Sequence, residues 1–245
     1  DALIIKYGDP GFERAISAAG TAWGVERFAY ATQAVREANM LADAVDAGAR
    51  FAVANCEPND GGGWGDAGAD RAIRSLIDAF RRRHASIPLY ICADLRRGRS
   101  RDSAFAREAA RGGADGWMPM VYPKAFGQTV PRAFDAAFPG ASYLGLPCMP
   151  VIQVYDAIGP ALVREQIAEA RARGATALSV YVVEAATDEE LRAVAAAKDT
   201  AGTDAPDAAT LNAVALAYLR GAIRILHEGT PTELRAWADR FVAKG

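Results

Sequence analysis

The sequence predicts an α/β fold, a (β/α)8 TIM-type barrel, and three observations carry that expectation. Short apolar runs alternate with Ala-, Arg- and Glu-rich amphipathic stretches over about 200 residues. The runs are rich in Val, Ile, Phe and Tyr, the composition of strands covered on both faces. No GxGxxG turn follows any of them, so a barrel fits the rhythm better than a nucleotide-binding sheet. Seven runs are visible. The abrupt entry at Leu3-Ile4-Ile5 places the missing first strand upstream of Asp1.

In chain order the expected strands are residues 2–6, 26–30, 51–55, 88–93, 116–122, 151–155 and 177–183. The expected helices are 11–19, 34–47, 67–84, 103–111, 130–137, 160–173 and 188–197. Thr187 followed by Asp188, Glu189 and Glu190 reads as a helix start, with acids in the first turn facing the positive end of the helix. Pro160 suits a first helical position and Gly174 a C-terminal cap. The barrel domain therefore runs over 1–198. Asp, Thr, Gly, Ala and Pro make 199–206 a linker. A helical segment follows at 207–245, with apolar residues at helical spacing in 208–226 and 232–243. That pair is expected to cover the barrel or to bind a protein partner.

Composition narrows the function classes. A chain of 245 residues that is 51% hydrophobic is not mostly disordered. A formal net charge of −2 speaks against coating nucleic acid, which needs a basic excess. No apolar run approaches the ~18 residues of a membrane span. Cys56, Cys92 and Cys148 each sit in or beside an apolar run and read as buried free thiols. The two histidines, His84 and His227, lie at helix ends, so no metal site and no cofactor are expected.

In a parallel barrel the chemistry lies at the C-terminal ends of the strands and in the loops after them. The most informative end is Asn55-Cys56-Glu57. A strand has period two, so Asn55 and Glu57 point the same way. The apolar residues before them place Glu57 at the rim of a packed interior, where a partly desolvated carboxyl suits a general acid. Its bland alternative is a carboxylate that caps the next helix or pairs with an arginine. The glycine-rich loop 59–65 lacks a phosphate loop's Lys-Ser/Thr ending, and its Trp64 is expected as an exposed platform for stacking sugars. Tyr7, Tyr30, Trp117, Tyr122, Tyr155 and Tyr181 also recur at strand ends, where a flat ring with a hydroxyl suits carbohydrate. Gln153 shares this rim.

Asp94, Asp9, Asp156 and Glu184 are available as a second carboxylate; Asp94 and Asp9 are the preferred pair of candidates. Arg96, Arg97, Arg99 and Arg101 form a basic loop after Asp94, read first as a solvated charge run. Arg81-Arg82-Arg83 ends a helix and belongs to the opposite, silent face. Lys6 supports a competing reading, a Schiff-base lyase, although no phosphate-binding glycine pair accompanies it.

Three segments, Asn55-Cys56-Glu57, Met118-Pro119-Met120-Val121-Tyr122 and Gln153-Val154-Tyr155, resemble glycoside-hydrolase-type barrels. They are similar to the lysozyme-like glycoside hydrolase family 25 and to related uncharacterised actinobacterial and phage proteins. The resemblance spans roughly residues 1–197. It implies a polysaccharide substrate, peptidoglycan among them, and an extracellular or phage-borne setting. The family signature is Asp-x-Glu at the end of the fourth strand, with the Glu as proton donor. Glu57 matches the donor, and Asn55 stands where an Asp is expected. Two readings follow: a glycosidase with Glu57 as general acid and Asn55 orienting an acetamido group or a water, or a non-catalytic barrel that binds glycan or serves as a structural module of a larger assembly.

Overall fold

A computed structural model describes residues 3–7, 20, 22–57, 62–65, 67–94, 108–109, 111–137, 147–175, 177–181 and 185–199. The helix expected at 11–19, most of that at 103–111, Asp9, the loop at 58–61, the arginines of 96–101, Glu184 and the whole of 200–245 lie outside the described residues.

Among the described residues seven strands form one sheet in chain order: β1 (Leu3–Lys6), β2 (Trp23–Phe28), β3 (Ala52–Asn55), β4 (Leu89–Ala93), β5 (Gly116–Val121), β6 (Val151–Gln153) and β7 (Ser179–Tyr181). Every neighbouring pair is parallel. Among the described residues the longer helices are α1 (Ala34–Asp46), α2 (Ala69–Arg83), α3 (Val130–Ala137), α4 (Pro160–Ala172) and α5 (Asp188–Asp199). The sheet curls far enough for its first and last strands to meet through side chains. Lys6 Nζ lies 3.5 Å from the Tyr181 hydroxyl and 5.3 Å from the centre of that ring. This is the TIM-like architecture that the rhythm predicts.

The pleat sorts the core into two layers. Ile5, Val25, Ala52, Ala54, Leu89, Ile91, Trp117, Val121 and Ile152 face the helices. α2 meets them with Ile73, Leu76, Ile77 and Phe80, the three-and-four spacing of one helix face. Val53, Cys92, Met118, Tyr122 and Val151 form the second, inner cluster, with Ile4, Phe51, Tyr90 and Met149 packed against it. Gly24 belongs to this inside. A Cβ there would sit 2.2 Å from the Phe51 ring, so the absent side chain makes room for that ring in the lumen.

β2 is the element that the sequence misplaces. The expected strand starts at Glu26, but the ladder begins at Trp23 and ends at Phe28. The small Gly24 and the charged Glu26-Arg27 hide a strand whose alternate residues face two different cores. Arg81 and Arg83 take the structural role expected of them. Arg81 ties α2 to the entry of β4 and β5 through the carbonyls of Ile87 and Gly113 and through Asp115. Arg83 joins α2 to α1 through Asp43 and Asp46. The three cysteines are buried and none is in a disulfide.

Candidate functional site

The inward side chains change character along the lumen. At the N-terminal end Phe51 and Tyr90 pack edge to face, 5.9 Å apart, and close the interior with hydrocarbon. Toward the C-terminal ends the inward positions become Lys6, Glu26, Asn55, Glu57, Cys92, Asp94, Tyr122, Gln153, Tyr155 and Tyr181. The register requires this set: Lys6 pairs with Glu26, Asn55 with Cys92 and Gln153 with Tyr181. The Cys56 N–H donates to the Cys92 carbonyl at 2.8 Å, which carries the ladder on and brings Glu57 alongside Asp94. Glu57 and Asp94 are both buried, at 8% and 6% exposure. Gly62 folds back over this end of β3, where a Cβ would lie 2.6 Å from the Glu57 carbonyl oxygen.

Glu26 is the lumen residue that sequence reading missed. Asn55 Nδ2 donates to Glu26 Oε1 at 3.1 Å. Burial pushes the Glu26 carboxyl above the ordinary carboxylate range, while the Asn55 hydrogen bond and the nearby Lys6 ammonium pull it back. Asn55 Oδ1 is buried and has no hydrogen-bond partner among the described residues. The signal was present in the alternation Gly24, Glu26, Phe28 against Trp23, Val25, Arg27, but it becomes visible only once the strand starts at Trp23.

Cys92 forms the floor. Burial raises its thiol pKa well above normal, and the charges of Glu26 and Glu57 add to the effect. Tyr122, Tyr155 and Tyr181 make one aromatic wall, with ring centres 5.7, 5.9 and 6.0 Å apart. Burial raises the Tyr122 hydroxyl, with Cys92 and Glu26 contributing, so Tyr122 stays a neutral donor. Immediately after Tyr155, Asp156 and Ala157 hold positive φ values of 64° and 47°. An alanine there is strained, and such strain clusters at ligand-binding turns.

The structure places other expected residues elsewhere. Trp64 is a correction. It is fully buried, and its indole N–H donates to the Ala29 carbonyl at 2.7 Å, so it pins its loop to the end of β2 instead of offering a sugar platform. Tyr7 is a second correction. One step past Lys6 it has the outward parity, and the Arg27 guanidinium lies 5.0 Å from its ring centre, within the helix-facing layer. Trp117 likewise faces the helices. Tyr30 is exposed and stacks edge-on against Phe28 at 5.2 Å. Gln153 is fully buried; its Oε1 accepts from the backbone N–H groups of Lys124 and Ala125 at 3.1 and 3.2 Å, fixing the loop after β5. Asp9 lies outside the described residues. A shallow groove lined by Thr32, Gln33, Arg36, Asn39 and Ser75 lies outside the lumen, against α1 and α2. Among the described residues no His, Cys, Asp or Glu cluster suits a metal ion, and no helix is long and apolar enough to cross a membrane.

A chitinase from Rhizomucor miehei superposes with a TM-score of 0.56 at 11% identity, covering 79% of this chain and 92% of the chitinase chain. The chain is a TIM-type barrel. The protein CitE from Mycobacterium tuberculosis, solved with magnesium and pyruvate, superposes at a TM-score of 0.41 and 13% identity, covering 87% of this chain and 95% of that one. No protein-family model and no curated protein matches the sequence. The shared barrel explains why the acidic and aromatic side chains gather at one end: every parallel strand delivers its last inward residue there.

Proposed function

We propose that this barrel cleaves glycosidic bonds in a polysaccharide built from acetamido sugars, peptidoglycan in particular, with Glu57 as the general acid. One observation supports this reading above the others. Buried Glu57 and Asp94 end neighbouring strands beside the wall of Tyr122, Tyr155 and Tyr181. The tyrosine wall offers apolar faces for sugar rings and hydroxyls for their oxygens.

In the reaction the Glu57 carboxyl gives its proton to the glycosidic oxygen. The C1–O bond breaks and its electron pair leaves with that oxygen. A water molecule then adds to C1 and returns a proton to the Glu57 carboxylate, so one water is consumed per bond. Asn55, on the same face two residues earlier, orients the substrate acetamido group or the water. Asp94 is the carboxylate beside the donor.

A second reading has its own support. Asn55 occupies the place where a glycosidase of the resembling type has an acid, which favours a barrel that binds glycan without cutting it. Glu57→Gln separates the two. It keeps the shape and removes the transferable proton, so reducing-end release should fall by at least ~10²-fold, with little change in the thermal midpoint or in glycan affinity. Unchanged turnover means that Glu57 is not the acid. No turnover by the parent protein on peptidoglycan or on N-acetylglucosamine oligomers, with binding retained, favours the glycan-binding module.

A further inference from the structure

We propose that Glu26 is the anionic partner of Glu57 in the reaction, and that Asn55 serves to hold it. This rests on the hydrolase reading. It supplies the charge that the sequence lacks at position 55, moved one strand over to β2.

Geometry carries the argument. Glu26 has the inward parity on β2, level with Lys6 of β1 and one strand from β3. Asn55 Nδ2 donates to its Oε1 at 3.1 Å, a contact that an aspartate at 55 would replace with two opposed carboxylates. The asparagine is therefore the complement of a neighbouring acid. Among the described residues, Glu26 interacts electrostatically with Lys6 of β1, Asn55 of β3, Cys92 of β4 and Tyr122 of β5, and the Cys92 thiol also feels the charge of Glu57. Lys6 is the cation among them. Lys6 and the Asn55 amide favour the charged form of Glu26, against the burial that raises its pKa.

The chemistry needs such a group. As Glu57 protonates the leaving oxygen, positive charge develops on C1 and the ring oxygen. A carboxylate already oriented in a poorly hydrated lumen stabilises that charge without reorganising. Glu26 must be ionised to act, and Glu57 must hold a proton. Burial of Glu26 therefore sets the acid limb of activity above the usual carboxylate range.

A charge swap across the Asn55–Glu26 hydrogen bond tests this. Glu26→Gln should lower kcat for reducing-end release by about 10²-fold or more, with KM little changed. Asn55→Asp should lower kcat less than Glu26→Gln does, because two carboxyls in contact share one proton and keep one charge between them. The double variant Glu26→Gln, Asn55→Asp puts an amide at 26 and a carboxylate at 55 across the same hydrogen bond. It should recover at least about tenfold over Glu26→Gln, as one preorganised charge is restored. Thermal midpoints establish that each protein is folded. A folded Glu26→Gln protein with parental kcat overturns the proposal, and so does a folded double variant no better than Glu26→Gln. Loss of activity in Glu57→Gln alone overturns this proposal and leaves the hydrolase reading standing. A parent protein that releases no reducing ends overturns both.

Discussion

Glu26 and Arg27 are consecutive residues of β2, and the pleat sends them into two different regions. Arg27 faces the helices. Its guanidinium pairs with Glu37 of α1, which is 1% exposed, and lies over the Tyr7 ring. Glu26 faces the lumen, where its hydrogen bond comes from the neutral amide of Asn55. Charge in the outer layer is matched by opposite charge at contact distance, which stabilises the fold. Charge in the lumen is left with an amide and a nearby lysine, and burial raises its pKa. On the proposed reading, one strand carries a structural charge, Arg27, and a working one, Glu26.

The comparison breaks most visibly through stability. Arg27→Met leaves Glu37 buried without its partner and should cost about 3 kcal/mol of unfolding free energy, while turnover per folded molecule stays at the parental value. Glu26→Gln should move the other way. Its carboxyl has a folded pKa above the unfolded value of 4.5, so the folded state holds the proton longer. Stability attached to that proton is present below the unfolded pKa and is lost as pH rises through the folded one. At neutral pH the glutamine variant should therefore melt above the parent. Thermal midpoints of both variants from pH 4 to 8 check the pair of signs; a Glu26→Gln protein less stable than the parent at neutral pH assigns Glu26 a structural role.

A smaller effect sharpens the same contrast. Glu190 joins α4 to α5. Its Oε1 accepts from the Gly159 N–H at 2.8 Å, and its Oε2 accepts from the Thr187 N–H and hydroxyl at 2.7 and 2.9 Å. Burial pushes this carboxyl up, but the hydrogen bonds from Thr187, Gly159 and Ile158 together outweigh it and leave the pKa lowered. Its stabilisation is present above the unfolded pKa and lost as pH falls through the folded one. Glu190→Gln should cost about 1 kcal/mol at neutral pH, the worth of a helix cap, and the difference from the parent should shrink on acidification. A gap that stays constant with pH contradicts the capping role.

Much of this was legible in the residues. Leu89-Tyr90-Ile91-Cys92 and Gly116 to Val121 read as strands because both of their faces are apolar. Helix α2 was legible because Ile73, Leu76, Ile77 and Phe80 keep helical spacing. The Thr187 start and the inward pairing of Asn55 with Glu57 followed from local rules. Trp64 was not legible. A glycine-rich loop gives no sign that its aromatic ring finds the Ala29 carbonyl across the chain. Glu26 was hidden for a related reason. Whether a charged residue is a loop end or a lumen group depends on where the strand begins, and Gly24 is explained only by the Phe51 ring of the next strand. Tyr7 shows how a one-residue step past the end of a strand changes the face.

The central claim is that the lumen mouth works on a glycan with a proton donor, Glu57, and an anionic partner, Glu26. It is tested most directly by the pH dependence of kcat/KM for reducing-end release from a soluble N-acetylglucosamine oligomer. The account predicts a bell whose acid limb lies above the usual carboxylate range, moves higher in Lys6→Met, and disappears in the residual activity of Glu26→Gln. An acid limb that keeps its position in both variants contradicts it.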